Sequence, residues 1–309
     1  MNPVLSVSTL SMAAMNRKER GIRMQTVSSF QSAGGKLYLV PTPIGNLDDM
    51  TMRAIKVLKE VDLIAAEDTR HTQMLLNHFG IETKSISLHE HNKAQRVPQL
   101  VAKLKEGTIM AQCSDAGMPS ISDPGKELVA AAVQEKIPVI PLPGANAGLT
   151  ALIASGLPPQ PFYFYGFLDR KHQQQLTELN QLKNHEETMI FYEAPHRLKK
   201  TLQSMVEVFG TDRQAVLARE LTKRYEEFSR GSLGELLDHI SQQTPRGEFV
   251  VLVAGNDHPA DQQDETSGTP REQIEKEIVN GLSTNEAIKV VAKRLGIKRQ
   301  VLYQQYHQF

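Results

Sequence analysis

The sequence has little cysteine, no net charge and no long apolar run, and each shortage excludes a class of protein. Its 309 residues include one cysteine, Cys113, so a single chain can build neither a disulfide framework nor a cysteine-based zinc site. Basic and acidic side chains both number 35, which leaves no overall basic field for wrapping nucleic acid. No apolar run approaches the roughly 20 residues that span a bilayer. We therefore expect a globular protein of a reducing compartment, with the cytoplasm as its location.

The sequence also lacks the most common cofactor and catalytic motifs. It contains no G-x-x-x-x-G-K-[ST] phosphate loop and no G-x-G-x-x-G after a strand. The metalloprotease motif H-E-x-x-H and the nucleophile motif G-x-S-x-G are missing as well. Any cofactor must therefore be held by a different set of loops.

From Lys36 onward, short apolar strands alternate with stretches in which apolar residues recur every three or four positions. This alternation is typical of crossover units that build a mostly parallel sheet. In the first half it predicts strands at 37–42, 61–67, 84–89, 108–114 and 138–142, with helices at 51–59, 71–79, 94–105 and 125–136. In the second half it predicts strands at 162–167, 188–192, 214–220, 227–230 and 249–254, with helices at 173–183, 195–208 and 232–240.

The predicted fold class is α/β, with two α/β domains and a C-terminal helical extension. We place the first domain at 36–157 and the second, which begins at the proline-rich segment Pro158–Pro161, at 158–255. Residues 256–269 are acidic and without apolar periodicity, which predicts a linker. Residues 1–35 lack the apolar core of a secretory signal. We expect a mobile N-terminal extension there, with organelle targeting or a true start at Met24 as the alternatives.

The C-terminal segment 270–309 is predicted to form two or three short helices in a helix-turn-helix-like arrangement. No acidic residue follows Glu286, whereas five basic residues do: Lys289, Lys293, Arg294, Lys298 and Arg299. Such a segment can be a packing or dimerisation element with a solvated basic face, or it can contact RNA. From the residues alone both interpretations stay open.

Three loops at predicted strand ends consist of small residues and prolines: Pro41–Leu47, Ser114–Pro119 and Pro143–Ala147. Open α/β sheets bind ligands at the carboxyl ends of their strands. Glycine permits close backbone approach, and exposed amides at a following helix can hold an anionic group. Each loop alone is an ordinary turn, but three in one domain favour a binding site.

Charged segments follow other strands, at Glu67–Thr72, Glu193–Arg197 and Arg219–Lys223. One interpretation is that these segments form structural ion pairs and helix caps. The other is that they line a cleft that holds an anionic substrate and orients a hydroxyl. His89 and His91 share a strand face, but no third metal ligand is identifiable, so no metal is expected.

Several of these segments, in this order, closely resemble the tetrapyrrole methylase superfamily, and within it the methyltransferases of small-subunit ribosomal RNA. The resemblance runs from about Lys36 to Gly255 and continues into the basic tail. It rests on VPTPIGNL (40–47), AEDTRHT (66–72), SDAGMP (114–119), SDPG (122–125), EAPHR (193–197) and RELTK (219–223).

This resemblance implies an S-adenosylmethionine-dependent enzyme that works as a homodimer, with the cofactor in a cleft between two domains. Its product would be a 2′-O-methylated cytidine in 16S ribosomal RNA. A small-molecule methyltransferase of the same fold and a non-catalytic RNA-binding assembly factor are the alternatives.

Candidate residues follow from these segments. The proton acceptor stays open among Glu67, Asp68, Glu193, His196 and Glu220. The catalytic candidates are Glu67, Asp68, Glu193, Arg197, Glu220 and Lys223. The cofactor candidates are Pro41, Thr42, Pro43, Gly45, Ser114, Asp115, Ala116, Gly117, Pro119, Gly144 and Ala145. The RNA-binding candidates are Arg70, Arg219, Lys293, Arg294, Lys298 and Arg299.

Overall fold

The structure is a computed structural model that describes residues 24, 26–29, 34–257, 269–279 and 282–307. The predicted N-terminal extension and the predicted linker therefore lie largely outside the described residues. None of the helices in the described part is both long enough and apolar enough to cross a membrane.

The described chain divides into two compact units. One contains the described residues up to Ala154 together with Arg219–Glu227, and the other contains Ser155–Ala218 and the described residues from Phe228 onward. The sequence assigned Arg219–Glu227 to the second domain, whereas the turn groups with the first unit. A physical reason is the close packing of Leu221 and Lys223 against Gly45, described below.

A five-stranded parallel sheet in the order β3-β2-β4-β1-β5 forms the centre of the first unit. Its strands are β1 (Lys36–Leu39), β2 (Leu63–Ala66), β3 (Ser85–Ser87), β4 (Ile109–Cys113) and β5 (Val139–Pro141). Its helices are α1 (Met52–Glu60), α2 (Thr69–His78), α3 (Lys93–Lys105), α4 (Lys126–Gln134) and α5 (Ala147–Ser155).

Both faces of this sheet are covered, because successive strand residues point to opposite sides. One core joins Ile64 and Ala66 of β2 to α1 and α2, through Leu58 and Leu76 among others. The other joins Ala65 of β2 to α3 and α4, through side chains that include Leu100 and Leu128. Helices α1 and α4, which follow the neighbouring strands β1 and β4, therefore lie on opposite faces.

The second unit is built on another five-stranded sheet, in the order β6-β7-β10-β8-β9. Its strands are β6 (Phe162–Phe167), β7 (Thr188–Glu193), β8 (Gln214–Arg219), β9 (Glu227–Ser232) and β10 (Phe249–Val253). Strand β7 pairs parallel with β6 and antiparallel with β10. Helices α6 (His172–Leu182), α7 (Pro195–Phe209) and α8 (Leu233–Ser241) pack on one face around Phe191 and Leu202.

Three C-terminal helices have a core of their own. They are α9 (Pro270–Val279), α10 (Thr284–Leu295) and α11 (Arg299–His307). Ile274, Ile288 and Leu302, one from each helix, are buried together. Ser283 and Glu286 form a capping box at the start of α10, and Gly296 ends this helix in the left-handed conformation.

The predicted α/β class and the C-terminal helices are confirmed, and every predicted strand and helix is present with small shifts at its ends. Helix α5 was not predicted. Its sequence, AGLTALIAS, is apolar on nearly every side, so it lacks the polar stripe that makes the helical period visible.

The fold depends on a glycine at position 125, where α4 begins. Gly125 has a φ of +130°, and a Cβ there would lie 1.7 Å from the side-chain nitrogen of buried Gln112. We expect Gly125→Ala to lower the free energy of unfolding by at least about 2 kcal/mol, because both strain and overpacking oppose it. Urea unfolding measures this loss.

Gly80→Ala is the matched control for this substitution. Gly80 also has a positive φ, +59°, but a Cβ there meets nothing within 4 Å. Its loss should be about 1 kcal/mol from backbone strain alone. Equal losses at both positions would contradict the assigned role of the Gln112 contact.

Candidate functional site

The predicted small-residue loops of the first unit come together at the carboxyl ends of β4, β1 and β5, three neighbouring strands. Thr42 and Gly117 exchange two backbone hydrogen bonds of 3.0 Å each. The Thr42 hydroxyl also donates to the carbonyl oxygen of Ser114 at 3.1 Å. The loops that follow β1 and β4 are thereby held side by side.

Glycine makes this approach possible. A Cβ on Gly144 would lie 2.6 Å from the Cβ of Pro41, and one on Gly117 would lie 3.3 Å from the Cγ2 of Ile44. Gly117 also has a φ of +75°, which favours glycine over any other residue. All three loops therefore touch at distances that larger residues would not allow.

The topology marks this place as a binding crevice. Because α1 and α4 lie on opposite faces of the sheet, the loops after β1 and β4 diverge from adjacent strand ends. In open α/β sheets such a switch point is where ligands bind. Gly45, Ala116 and Pro143 are exposed there and carry no long side chain.

The charged segment after β2 lies beside the loop that follows β4. Asp68 caps α2 by accepting the backbone N–H of Arg70, and its carboxylate pairs with the Arg70 guanidinium at 2.8 Å. The backbone N–H of Asp68 donates to Asp115 at 3.1 Å. This contact brings Glu67, Asp68 and Asp115 together, with Arg70 extended into solvent.

Glu67 has an unusual protonation equilibrium. Partial burial, together with the nearby carboxylates Asp123, Asp115 and Asp68, raises its pKa from 4.5 to about 7. The backbone N–H of Asp115 donates to the Glu67 carboxylate and opposes this shift only in part. Burial also raises the pKa of Asp123. Asp123 was not among the predicted site residues, although its segment SDPG was one of the recognised motifs.

The turn Arg219–Glu227 contributes Glu220 and Lys223, whose side chains form an ion pair of 2.9 Å. A Cβ on Gly45 would lie 2.4 Å from the Cγ of Lys223, so this turn packs directly on the loop after β1. Glu220 and Thr222 have positive φ values of 49° and 65°, which are strained for residues other than glycine. Arg219 pairs with Glu227 at 3.0 Å.

Glu193 and Arg197 belong to the second unit, where they form a closed network. The Glu193 side chain is 1% exposed and pairs with Arg197 at 3.2 Å. Its carboxylate also accepts the hydroxyl of Thr201 at 2.6 Å. Arg197 donates to the carbonyl oxygens of Leu168 and Asp169. For these two residues the structure favours the ion-pair interpretation, and Thr201 of α7 was not identified from sequence.

The basic tail residues are not equivalent. Lys289 and Lys293 on α10, Lys298 in the turn that follows and Arg299 on α11 are exposed. Arg294 instead pairs with Glu277 of α9, and both side chains are mostly buried. The sequence treated Arg294 as one of the unopposed bases, and this is wrong because its acidic partner precedes it in the chain.

His89 and His91 lie in the loop after β3, with ring centroids 6.1 Å apart. The Asn92 side chain fixes this loop by accepting the backbone N–H of His89 at 2.9 Å, and its amide group lies 3.2 Å from the His89 Nε2. In the part of the chain that the structure describes, no three His, Cys, Asp or Glu side chains are grouped to hold a metal.

The sequence and fold of this chain match a known family of proteins. The model of the Tetrapyrrole (Corrin/Porphyrin) Methylases matches residues 36–237, and the chain belongs to this family. A solved member of the fold has a TM-score of 0.51 and 16% identity, and the match covers 71% of this chain and 97% of that one. It is uroporphyrin-III C-methyl transferase from Thermus thermophilus, complexed with S-adenyl homocysteine.

Relatives with much higher sequence identity show to which group of the family the chain belongs. It is 51% identical over 286 residues to ribosomal RNA small subunit methyltransferase I of Streptococcus pyogenes serotype M18, covering 92% of this chain and 99% of the relative. It is 49% identical over 289 residues to the protein of the same name from Bacillus subtilis, covering 93% and 99%. The chain is therefore a methyltransferase of the ribosomal RNA small subunit methyltransferase I family.

The raised pKa of Glu67 predicts a pH-dependent stability. A carboxyl whose pKa rises on folding stabilises the folded state below pH 4.5, and this contribution disappears as the pH passes about 7. At pH 8, Glu67→Gln should raise the free energy of unfolding by on the order of 1 kcal/mol, after discounting the shift for solvent screening. At pH 5 the gain should be smaller.

Urea unfolding of the wild type, Glu67→Gln and the exposed control Glu82→Gln at both pH values measures this difference. The control should change stability equally little at both. A gain for Glu67→Gln that does not depend on pH would rule out the assigned electrostatic cause.

The Glu193 network predicts a large effect of truncating its cation. Arg197→Ala leaves a buried carboxylate without its ionic partner, which costs about 3 kcal/mol or more. The exposed residue Lys199 on the same helix is the control, and Lys199→Ala should stay within about 0.5 kcal/mol of the wild type. An unfolding midpoint for Arg197→Ala equal to that of Lys199→Ala would contradict a structural role of the pair.

Proposed function

We propose that this protein transfers a methyl group from S-adenosylmethionine to the ribose 2′-hydroxyl of a cytidine in 16S ribosomal RNA. The observation that carries the proposal is the near full-length identity of 51% to a ribosomal RNA small subunit methyltransferase I. The strand-end loops and the neighbouring carboxylates give this activity a physical basis.

The cofactor is proposed to bind at the loops after β1, β4 and β5. When bound, S-adenosylmethionine supplies an electrophilic methyl group on a positively charged sulfur. The fit rests on the glycine contacts of Gly117 and Gly144 and on the short exposed side chains, which leave the strand ends accessible to a nucleoside. The residues that would hold the cofactor are Pro41, Thr42, Pro43, Gly45, Ser114, Asp115, Ala116, Gly117, Pro119, Gly144 and Ala145.

The remaining site residues divide into two roles. Lys223, fixed by Glu220 and packed on Gly45, is proposed to steady the acceptor strand beside the cofactor loops. Glu193 and Arg197 are proposed to position the start of α7 through their buried pair, without contacting substrate. Methyl transfer is an in-line displacement, so alignment of this kind contributes much of the acceleration.

RNA is proposed to contact cations in both units. Arg70, Lys293, Lys298 and Arg299 are exposed, and Arg219 is partly exposed beside Glu227. In the C-terminal helices the charge is unevenly divided: α9 carries Glu272, Glu275 and Glu277 beside Arg271 and Lys276, whereas no acidic residue follows Glu286 in α10 and α11. Such a division orients the basic side toward phosphates. Arg294 is left out because its side chain, paired with Glu277, is mostly buried.

We also propose that the protein acts in the cytoplasm as a homodimer. Leu149 and Ile153 of α5, one helical turn apart, are 44% and 81% exposed and could contribute apolar surface to such an assembly. Sedimentation at several protein concentrations distinguishes a dimer from a monomer.

The enzymatic proposal is tested with radiolabelled S-adenosylmethionine and small subunits from cells that lack this enzyme. We expect one labelled cytidine, and the label should survive base removal because it resides on the ribose. Small subunits that already carry the modification are the control and should remain unlabelled. Label on a base, or none on either substrate, would contradict the proposal.

The tail's part in RNA binding is tested with Lys293→Ala/Lys298→Ala/Arg299→Ala in the full chain. If all three contact phosphates, the dependence of log Kd on log salt should decrease in slope by about 2 to 3. Lys56→Ala/Lys59→Ala/Lys103→Ala, which removes three exposed lysines of the first unit, is the matched control. Equal slopes for the two triple variants would favour the tail as a packing element instead.

A further inference from the structure

We infer that Glu67 is the catalytic base that takes the proton from the acceptor hydroxyl during methyl transfer. This inference deepens the proposed function and rests on it. The sequence left five candidates for this role, and the structure separates them by their surroundings.

Three of the other four candidates are engaged elsewhere. Asp68 caps α2 and pairs with Arg70, and these bonds lower its pKa, so it binds a proton poorly. Glu193 is enclosed by Arg197 and Thr201. Glu220 pairs with Lys223. His196, the fourth, is exposed at the start of α7 in the second unit, apart in the chain from the cofactor loops.

Glu67 is placed directly against one of the proposed cofactor loops. Strand β2 pairs with β4 so that Ala66 lies opposite Cys113. The residues that directly follow these two strands are Glu67 and Ser114. Ser114 is the first residue of the loop Ser114–Pro119. The residue after Glu67, Asp68, donates its backbone N–H to the Asp115 side chain at 3.1 Å, so this segment is one hydrogen bond from that loop.

The carboxylates that face Glu67 all favour its protonated form. They are Asp115 and Asp123 from the segment after β4 and Asp68 from the start of α2. None of the described residues that shift the pKa of Glu67 is a cation. A carboxylate in such surroundings accepts a proton near neutral pH, which is the property required of a general base.

The step balances without another reactant. The ribose oxygen forms a bond to the methyl carbon while the carbon–sulfur bond breaks, and its electron pair stays on sulfur. The hydroxyl proton moves to the Glu67 carboxylate, which becomes a neutral carboxylic acid. The cluster thus exchanges one negative charge for a bound proton, which reduces the repulsion among its carboxylates. Glu67 then releases the proton to solvent before the next turnover.

The pH dependence follows in sign from this role. Glu67 must be ionised to act, so the single-turnover rate should rise as pH increases through about 7. Removing the charge of Asp123 lowers the pKa of Glu67, so Asp123→Asn should move this rise to lower pH while the plateau rate is kept. A residue that acts only through packing would not move the profile in this way.

The test measures single-turnover methylation of unmodified small subunits across pH for the full-length wild type, Glu67→Gln, Asp123→Asn and the control Glu82→Gln. Calorimetry with S-adenosylhomocysteine measures cofactor-site affinity in parallel. We expect Glu67→Gln to lose at least about 100-fold in rate and the pH-dependent rise, with unchanged affinity. Glu82→Gln should match the wild type.

Several results would overturn the inference. One is a Glu67→Gln enzyme with the wild-type rate, and another is an Asp123→Asn profile at the wild-type pH. A rate loss matched by weaker binding of S-adenosylhomocysteine would make Glu67 a cofactor ligand instead. If the wild type labels no small subunit, the proposed function fails and the inference falls with it. If the wild type labels the ribose and Glu67→Gln labels it at the same rate, the inference about Glu67 is rejected and the proposed function stands.

Discussion

The pairing of Thr42 with Gly117 is the contact on which the site of the first unit depends. It joins the loops of two adjacent strands whose helices lie on opposite faces of the sheet, and so it holds these two loops side by side. The second loop begins at Ser114, so the same pairing sets the position of Asp115, whose carboxylate accepts the backbone N–H of Asp68 beside Glu67. On the other side, Gly45 of the first loop receives the Glu220–Lys223 turn.

This arrangement separates two kinds of chemistry along one edge of a sheet. Small residues occupy the ends of β4, β1 and β5, where close backbone approach suits a nucleoside cofactor. Carboxylates occupy the ends of β2 and β4, where their mutual repulsion raises proton affinity. The strained residues Glu220 and Thr222 lie in the turn that packs against Gly45. Strained backbone is often found at binding sites. The exposed cations of α10 and α11 add a surface suited to phosphates.

Much of this could be predicted from sequence, because strand and helix periods and glycine-proline loops are local signals. The strand-end loops were correctly expected to follow β1, β4 and β5, and the resemblance in six motifs agrees with the family match. The apolar helix α5 was missed because it has no polar stripe. The pairing of Arg294 with Glu277 and of Glu193 with Thr201 depends on tertiary contacts that no local pattern encodes. The same holds for Asp123, whose effect on Glu67 arises only when two strand ends meet.

The central claim is that the loops joined by Thr42 and Gly117 hold the methyl donor. Hydrogen–deuterium exchange of the full chain, with and without S-adenosylhomocysteine, tests it most directly. The account predicts slower exchange on binding in Pro41–Leu47, Ser114–Pro119 and the segment 143–147, with little change in the C-terminal helices. Protection confined to other segments, with these three loops exchanging as fast as in the free protein, would contradict it.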